Sequence, residues 1–301
     1  MGGPKARGRF MSEKSATYAL LVGTTVVWGG SFVAIKQALN YLSPLELLFM
    51  RFVPASLAFA VLICWNQRRD LATLLREEPR SLGLMGFFGV LVYHLALNTG
   101  EQLIPAGTAS LIMATEPVFV FLLSLVLLGE RLTWPRVFGL CLAFAGLFIV
   151  IRFASGEDIE FRYLQGVLIT LVAPVSWAIY TIISRPLATK YSPVAVTGMG
   201  TIFAGVPILL TGSADLLAKL PHLPWDGWAS IAYLAFLATV GGVTIWVMAL
   251  RRLEASQVGV FIYLVPLWSA VLSRVFLSEP VTAPLAVGAG LVIGGVALVN
   301  R

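Results

Sequence analysis

Residues 123–135 read LSLVLLGERLTWP, and residues 272–284 read LSRVFLSEPVTAP. The two stretches agree at Leu, Ser, Val, Leu, Glu, Thr and Pro, and one offset of 149 residues aligns them. Outward from this pair the offset persists without a gap. Trp28 falls on Trp177, Ser43-Pro44 on Ser192-Pro193, Met50 on Met199, Ala106 on Ala255 and Pro117 on Pro266. On the other side, Gly139, Gly146 and Val150 meet Gly288, Gly295 and Val299. One isolated Gly or Pro match carries little weight, but a single shift that explains matches over most of the chain is hard to obtain by chance. The chain is one unit written twice.

Each unit is a run of apolar segments. Of 301 residues, 58% are apolar and only 12% charged, about half the charged fraction of an average soluble domain. So few charges cannot coat a water-facing surface, and the composition predicts an integral membrane protein whose surroundings are a lipid bilayer. A helix needs about 20 residues to cross the hydrocarbon core. Ten segments are candidates: 16–37, 44–65, 81–98, 104–128, 133–153, 163–185, 193–213, 226–250, 255–278 and 281–300. Prolines stand at several entries (Pro44, Pro135, Pro193, Pro284), where the missing N–H costs nothing in the first turn. The expected fold is all-α: a tail at 1–15, a five-helix repeat at 16–153, a linker at 154–162 and a second five-helix repeat at 163–301.

Charge placement orients this arrangement. Of 21 Lys and Arg residues, a cytoplasmic N-terminus leaves only Lys36, Arg152, Arg162, Lys219 and Arg274 outside, with Arg51 inside a span. The rest face the cytoplasm, a clear positive-inside bias. The net charge of +6 therefore reports orientation, and no nucleic-acid partner is expected. Five spans per unit is an odd number, so the second unit enters the bilayer from the opposite side. The expectation is ten helices as two inverted repeats around a central cavity, with both termini cytoplasmic in the cell (inner) membrane. Inverted repeats are a common construction of secondary transporters, which rock one bundle against the other around a site near the midplane.

Enzymatic chemistry finds little support. Two histidines and two cysteines, Cys64 and Cys141, offer no metal-ligand spacing and no triad, and no Lys-terminated phosphate loop occurs. No metal, cofactor or catalytic residue is expected. Both cysteines read as small packing residues. Residues 1–10 are polar and glycine-rich, Met11 is an alternative start, and the first apolar segment is too long for a cleavable leader.

Leu127 to Thr133 (LLGERLT), preceded by Glu116-Pro117-Val118-Phe119, resembles the junction of the fourth and fifth helices in EamA-domain proteins of the drug/metabolite transporter superfamily. Trp28-Gly29-Gly30-Ser31-Phe32 and Arg51-Phe52 resemble the family's first and second helices. The second copy departs from the pattern, with Pro280 for Arg131 and Gly200 for Arg51. The resemblance implies ten helices and export of small metabolites from a central cavity. Within the family the chain looks most like YddG-type exporters of aromatic and other neutral amino acids.

Polar and aromatic groups inside spans are the candidates for function, because burying them in a bilayer is costly. His94 and Asn98 stand four apart on the third span beside Tyr93, and can hydrogen-bond a substrate or satisfy a neighbouring helix. Trp28 and Trp177 are repeat equivalents. Trp177 heads an i, i+3, i+7 stripe with Tyr180 and Ser184, and it lies ~21 Å along its helix, too deep for an interfacial belt. Met113, Trp246 and Tyr263 complete the expected substrate-binding set. Glu116 reads as the one carboxylate deep in a span. It is either a protonatable coupling group or the partner of Arg51 in a gating pair. Pro117 and Pro266 are expected as symmetric kinks and hinges.

Small-residue seams, Gly139-xxx-Ala143 and Gly290-xxx-Gly294, pack the fifth and tenth spans together in a monomer, or support a dimer. The leading function is export of aromatic and other neutral amino acids. A proton-coupled exporter of hydrophobic cations or drugs, and a channel, are the alternatives.

Overall fold

The computed structural model describes residues 4–66, 68–128, 133–153, 161–253, 258 and 260–299. Among them every regular element is helical. The first repeat comprises α1 (Pro4–Ala38), α2 (Pro44–Asn66), α3 (Arg68–Glu77), α4 (Pro79–Glu101), α5 (Ala106–Met113), α6 (Glu116–Leu128) and α7 (Trp134–Phe153). The second comprises α8 (Phe161–Lys190), α9 (Pro193–Leu209), α10 (Ala214–Lys219), α11 (Trp225–Arg252), α12 (Leu264–Phe276) and α13 (Ala283–Val299). Among the described residues, five helices are long and apolar enough to cross a bilayer: Ser15–Ala38, Pro44–Trp65, α4, α8 and α11. A sixth results if α9 and Ala214–His222, bent by 97°, form one span. The remaining apolar helices are shorter. With this set of apolar helices, the chain is a multi-pass membrane protein.

The helix starts follow local chemistry. Ser43 and Glu46 form a reciprocal capping box at α2: the Ser43 N–H donates to Glu46 Oε2 at 2.7 Å, and the Glu46 N–H donates to Ser43 Oγ at 3.3 Å. Ser213 Oγ accepts the Leu216 N–H at the start of α10. The short α5 is capped from afar, with Glu279 accepting the N–H groups of Ala106 (3.1 Å) and Gly107 (3.3 Å). Its carboxylate suits the positive end of a helix.

The expected single fourth span is interrupted. A turn at Ala114-Thr115 separates α5 from α6, because Pro117 has no N–H to continue the ladder. At the equivalent place in the second repeat a 3₁₀ turn, Val260–Tyr263, precedes α12 and Pro266. The third helix of each repeat is also irregular. A π-helical stretch occupies Phe87–Val92 in α4 and Tyr233–Val243 in α11, and 87–92 falls on 236–241 under the offset.

Packing is inside-out relative to a soluble protein. Thr25, Arg51, His94, Asn98, Glu101, Glu116 and Ser269 are buried, while Leu57, Val61, Phe138, Phe148 and Val275 are exposed. Cys64 and Cys141, expected in the packing, lie on this exposed surface. The α7–α13 seam brings Gly146 against Gly288 and Gly295 against Gly139 and Ala143. Gly290 has nothing within 4 Å of its Cβ position and Gly294 touches only Leu142, so the seam runs one face away from the expected Gly290-xxx-Gly294 pair. The other helix pairs recur under the offset. α2 packs on α9, α1 on α11 and α12, and α8 on α4, α5 and α6.

Candidate functional site

A cavity of about 60 Å³ lies between the repeats, walled in part by the broken fourth spans and by the π-helical stretch of α11. α1 contributes Trp28, Ser31, Phe32 and Ile35; α2, Arg51; α4, Tyr93, His94 and Leu97. Met113 ends α5 and Glu116 begins α6. The second repeat supplies Trp177, Val243, Ile262 and Val265. Both repeats therefore build the wall. The space is large enough for water and far short of the ~300 Å³ or more typical of a small-molecule site.

Its aromatic wall is continuous. Trp28 meets Trp177 edge-on at 5.9 Å between ring centroids and Trp246 at 5.2 Å. Trp177 meets Tyr93 at 5.1 Å and stacks on Tyr180 at 4.9 Å. The two repeat-equivalent tryptophans are held differently. The Trp28 Nε1 donates to the Ala238 carbonyl at 3.1 Å, a group in the π-helical stretch of α11. The Trp177 Nε1 has no protein partner, nor has the Trp246 Nε1. Glycines make room for these rings. A Cβ at Gly242 would lie 2.6 Å from the Trp28 Nε1, and one at Gly89 would run into the Tyr180 ring.

Arg51 and Glu116 both line the cavity, but no salt bridge joins them among the described residues. Arg51 Nε instead donates to Thr239 Oγ1 at 2.9 Å, and Thr239 donates to the Leu234 carbonyl. The guanidinium is thus anchored from α2 to the π-helical segment of α11. His94 lies between the rings of Tyr93 and Phe52, at 4.4 and 4.6 Å, with Nδ1 unpartnered.

Of the residues singled out in the sequence, Trp28, Arg51, Tyr93, His94, Met113, Glu116 and Trp177 converge on the cavity. Tyr180 and Trp246 stand one layer behind. Asn98 is off the cavity and donates to the Pro44 carbonyl at 3.3 Å. Tyr263 packs with Leu111, Ala114 and Val118. Pro117 and Pro266 sit in the first turns of α6 and α12. Ser31, Phe32 and Ile35 were missed, although they continue the Trp28 face at helical spacing. Val243, Ile262 and Val265 carry no polar signal. A further buried carboxylate, Glu101, is fully inaccessible at the end of α4, between the expected spans 81–98 and 104–128.

Known proteins agree with this architecture. Residues 15–152 and 164–301 each match the EamA-like transporter family. The chain is 35% identical over 293 residues to a probable terminal-alkyne amino-acid exporter of Streptantibioticus cattleyicolor, covering 97% of this chain and 95% of that one. It is 32% identical to an uncharacterized transporter of Archaeoglobus fulgidus, covering 94% and 98%. A probable amino-acid metabolite efflux pump of Escherichia coli K12 is 31% identical, covering 95% and 94%. One solved crystal structure superposes with a TM-score of 0.65 over 94% of this chain and 96% of its own, at 21% identity, a likeness of fold. On its two matched halves, the chain belongs to the EamA-like transporter family.

Proposed function

We propose that this protein exports neutral amino acids, aromatic ones foremost, across the cell (inner) membrane by alternating access of two inverted five-helix repeats. One observation carries the substrate class. One cavity lined by both repeats bears a guanidinium, Arg51, and a carboxylate, Glu116, that are not paired with each other. An α-amino acid presents the complementary pair of charges, and its side chain finds the rings of Trp28, Trp177 and Tyr93. A hydrophobic cation would be repelled by Arg51. The names of relatives that export amino acids favour the same class.

The two-repeat arrangement draws support from contacts that recur under the 149-residue offset. Lys190 Nζ donates to Glu77 Oε2 at 2.6 Å, and the equivalent pair, Tyr41 and Asp226, is joined by a hydrogen bond of 2.9 Å. Lys190 and Tyr191 hold the Glu77 carboxyl below its ordinary value through hydrogen bonds. Two π-helical third spans and two broken fourth spans place the irregular backbone around the cavity, where a transporter tolerates it. The positive-inside bias puts both termini in the cytoplasm.

The test is counterflow of labelled phenylalanine in proteoliposomes. Saturable counterflow is expected, and Arg51→Gln and Glu116→Gln should each raise the half-saturating concentration about tenfold or more, the scale of a lost charged hydrogen bond. Unchanged affinity in both variants would remove the charges from the site. Counterflow of a cationic dye but of no amino acid would favour the drug-exporter reading, and voltage-driven current without saturation a channel.

A further inference from the structure

α4 carries a file of unsatisfied polar atoms on one face. His94, Asn98 and Glu101 are spaced i, i+4 and i+7, and they are 6%, 0% and 0% exposed. His94 Nδ1, Asn98 Oδ1 and both Glu101 carboxylate oxygens have no hydrogen-bond partner. Such groups are rarely left unpaired in a folded protein. The file starts at the cavity, which His94 lines, and ends where α4 stops.

The surroundings of Glu101 are charged but do not satisfy it. From α1, Lys36 Nζ donates to the backbone carbonyls of Glu101 (2.6 Å) and Ile104 (2.8 Å), capping the end of α4. Arg51 from α2 and Glu279 from the α12–α13 connection are within electrostatic reach, as is Tyr93 of α4 itself. α8 packs here through Gly166 and Thr170 against Gly100 and brings no charge to the contact. Asn98 is fixed by its donation to the Pro44 carbonyl, which leaves Oδ1 purely an acceptor. One proton resolves two orphans at once. A carboxylic acid at Glu101 gains an O–H donor, and the Asn98 oxygen three residues earlier on the same face is an acceptor in need of one.

We propose that Glu101, backed by Asn98, is a proton-binding site whose occupancy accompanies closure of the helices around the end of α4. The inference rests on the carrier reading above and names the ion that drives it. Proton uptake closes this end and proton release lets it open, which couples movement of substrate to the proton gradient. The second repeat has no such device, since Leu250 and Val247 stand at the equivalent positions and are buried. The coupling is therefore one-sided.

Hydrogen–deuterium exchange of the purified full chain, without substrate, tests this directly. After correction for intrinsic rates, the segment joining α4 and α5 should be more protected below neutral pH than above it. Glu101→Gln, which keeps a donor for Asn98 at every pH, should be protected at both and lose the difference. If E101Q does not fold, Asn98→Ala takes its place and must shift the midpoint of protection to lower pH. A wild-type chain with no pH difference, an E101Q chain that keeps it, or an unmoved midpoint in N98A would each overturn the proposal. Because no substrate is present, these results stand apart from the counterflow test, and either reading can fall alone.

Discussion

The two repeats share a frame and differ in what they present to the cavity. Frame positions correspond closely: Trp28 with Trp177, Gly146 with Gly295, Pro117 with Pro266, and one π-helical segment with the other. Lining positions diverge. Arg51, Tyr93, His94 and Glu116 of the first repeat stand opposite Gly200, Gly242, Val243 and Val265 of the second. Duplication supplied a symmetric scaffold, and the polar chemistry was concentrated in one copy. The charged groups of the lining thus come from one repeat, among apolar residues of both.

The largest effect is expected where the frame is most symmetric. A Cβ at Gly146 would lie 2.7 Å from the Gly288 carbonyl oxygen, and one at Gly295 would lie 2.5 Å from the Ala143 nitrogen and the Gly139 oxygen. These are backbone atoms, which cannot turn aside as a flexible side chain does. Gly146→Val and Gly295→Val should both abolish monodisperse protein on size exclusion, since overpacking costs about 1–3 kcal/mol or more even where side chains can yield. Gly290→Val, in open space, should behave as wild type. Loss in only one of the two seam variants would break the symmetry of the frame.

A middle-sized effect separates the two tryptophans. Trp28→Phe removes the hydrogen bond to the Ala238 carbonyl, a loss of about 1 kcal/mol, and should lower the melting temperature. Trp177→Phe removes an N–H that has no protein partner, so stability should hold. If that free N–H meets substrate, phenylalanine counterflow should weaken in the Trp177 variant alone. Equal melting shifts in both would mean that the indoles are held alike, contrary to the geometry.

Much of the frame is legible in the sequence because duplication leaves a register that chance does not. Pro117 stands just after the break between α5 and α6, since a missing N–H acts locally. Seven of the candidate site residues converge on the cavity, because polar and aromatic groups inside spans have few other reasons to be there. What stayed hidden has a common cause. The π-helical segments depend on tertiary locks, such as Trp28 on Ala238 and Arg51 on Thr239, which no local pattern encodes. The same lock explains why Arg51 and Glu116 do not pair. Glu101 falls between the expected spans 81–98 and 104–128, yet α4 runs on past Asn98 until Lys36 caps its end, a contact 65 residues distant in sequence.

The smallest effect concerns the turn where the quoted stretches differ. Ser278 has φ of 57°, the left-handed conformation that usually ends a helix at glycine, and it follows α12 directly after Leu277. Its counterpart in the first repeat is Gly129. The turn directs the chain so that the Glu279 N–H reaches the Ser273 carbonyl at 3.3 Å and the Glu279 carboxylate caps α5. A side chain in this conformation costs roughly 1–2 kcal/mol, while glycine loses more freedom on folding, about 0.4–1 kcal/mol. Ser278→Gly should therefore stabilise by about 0.5 kcal/mol, a rise of ~1–2 °C in detergent melting. A fall instead would mean that the serine hydroxyl contributes more than its backbone strain costs.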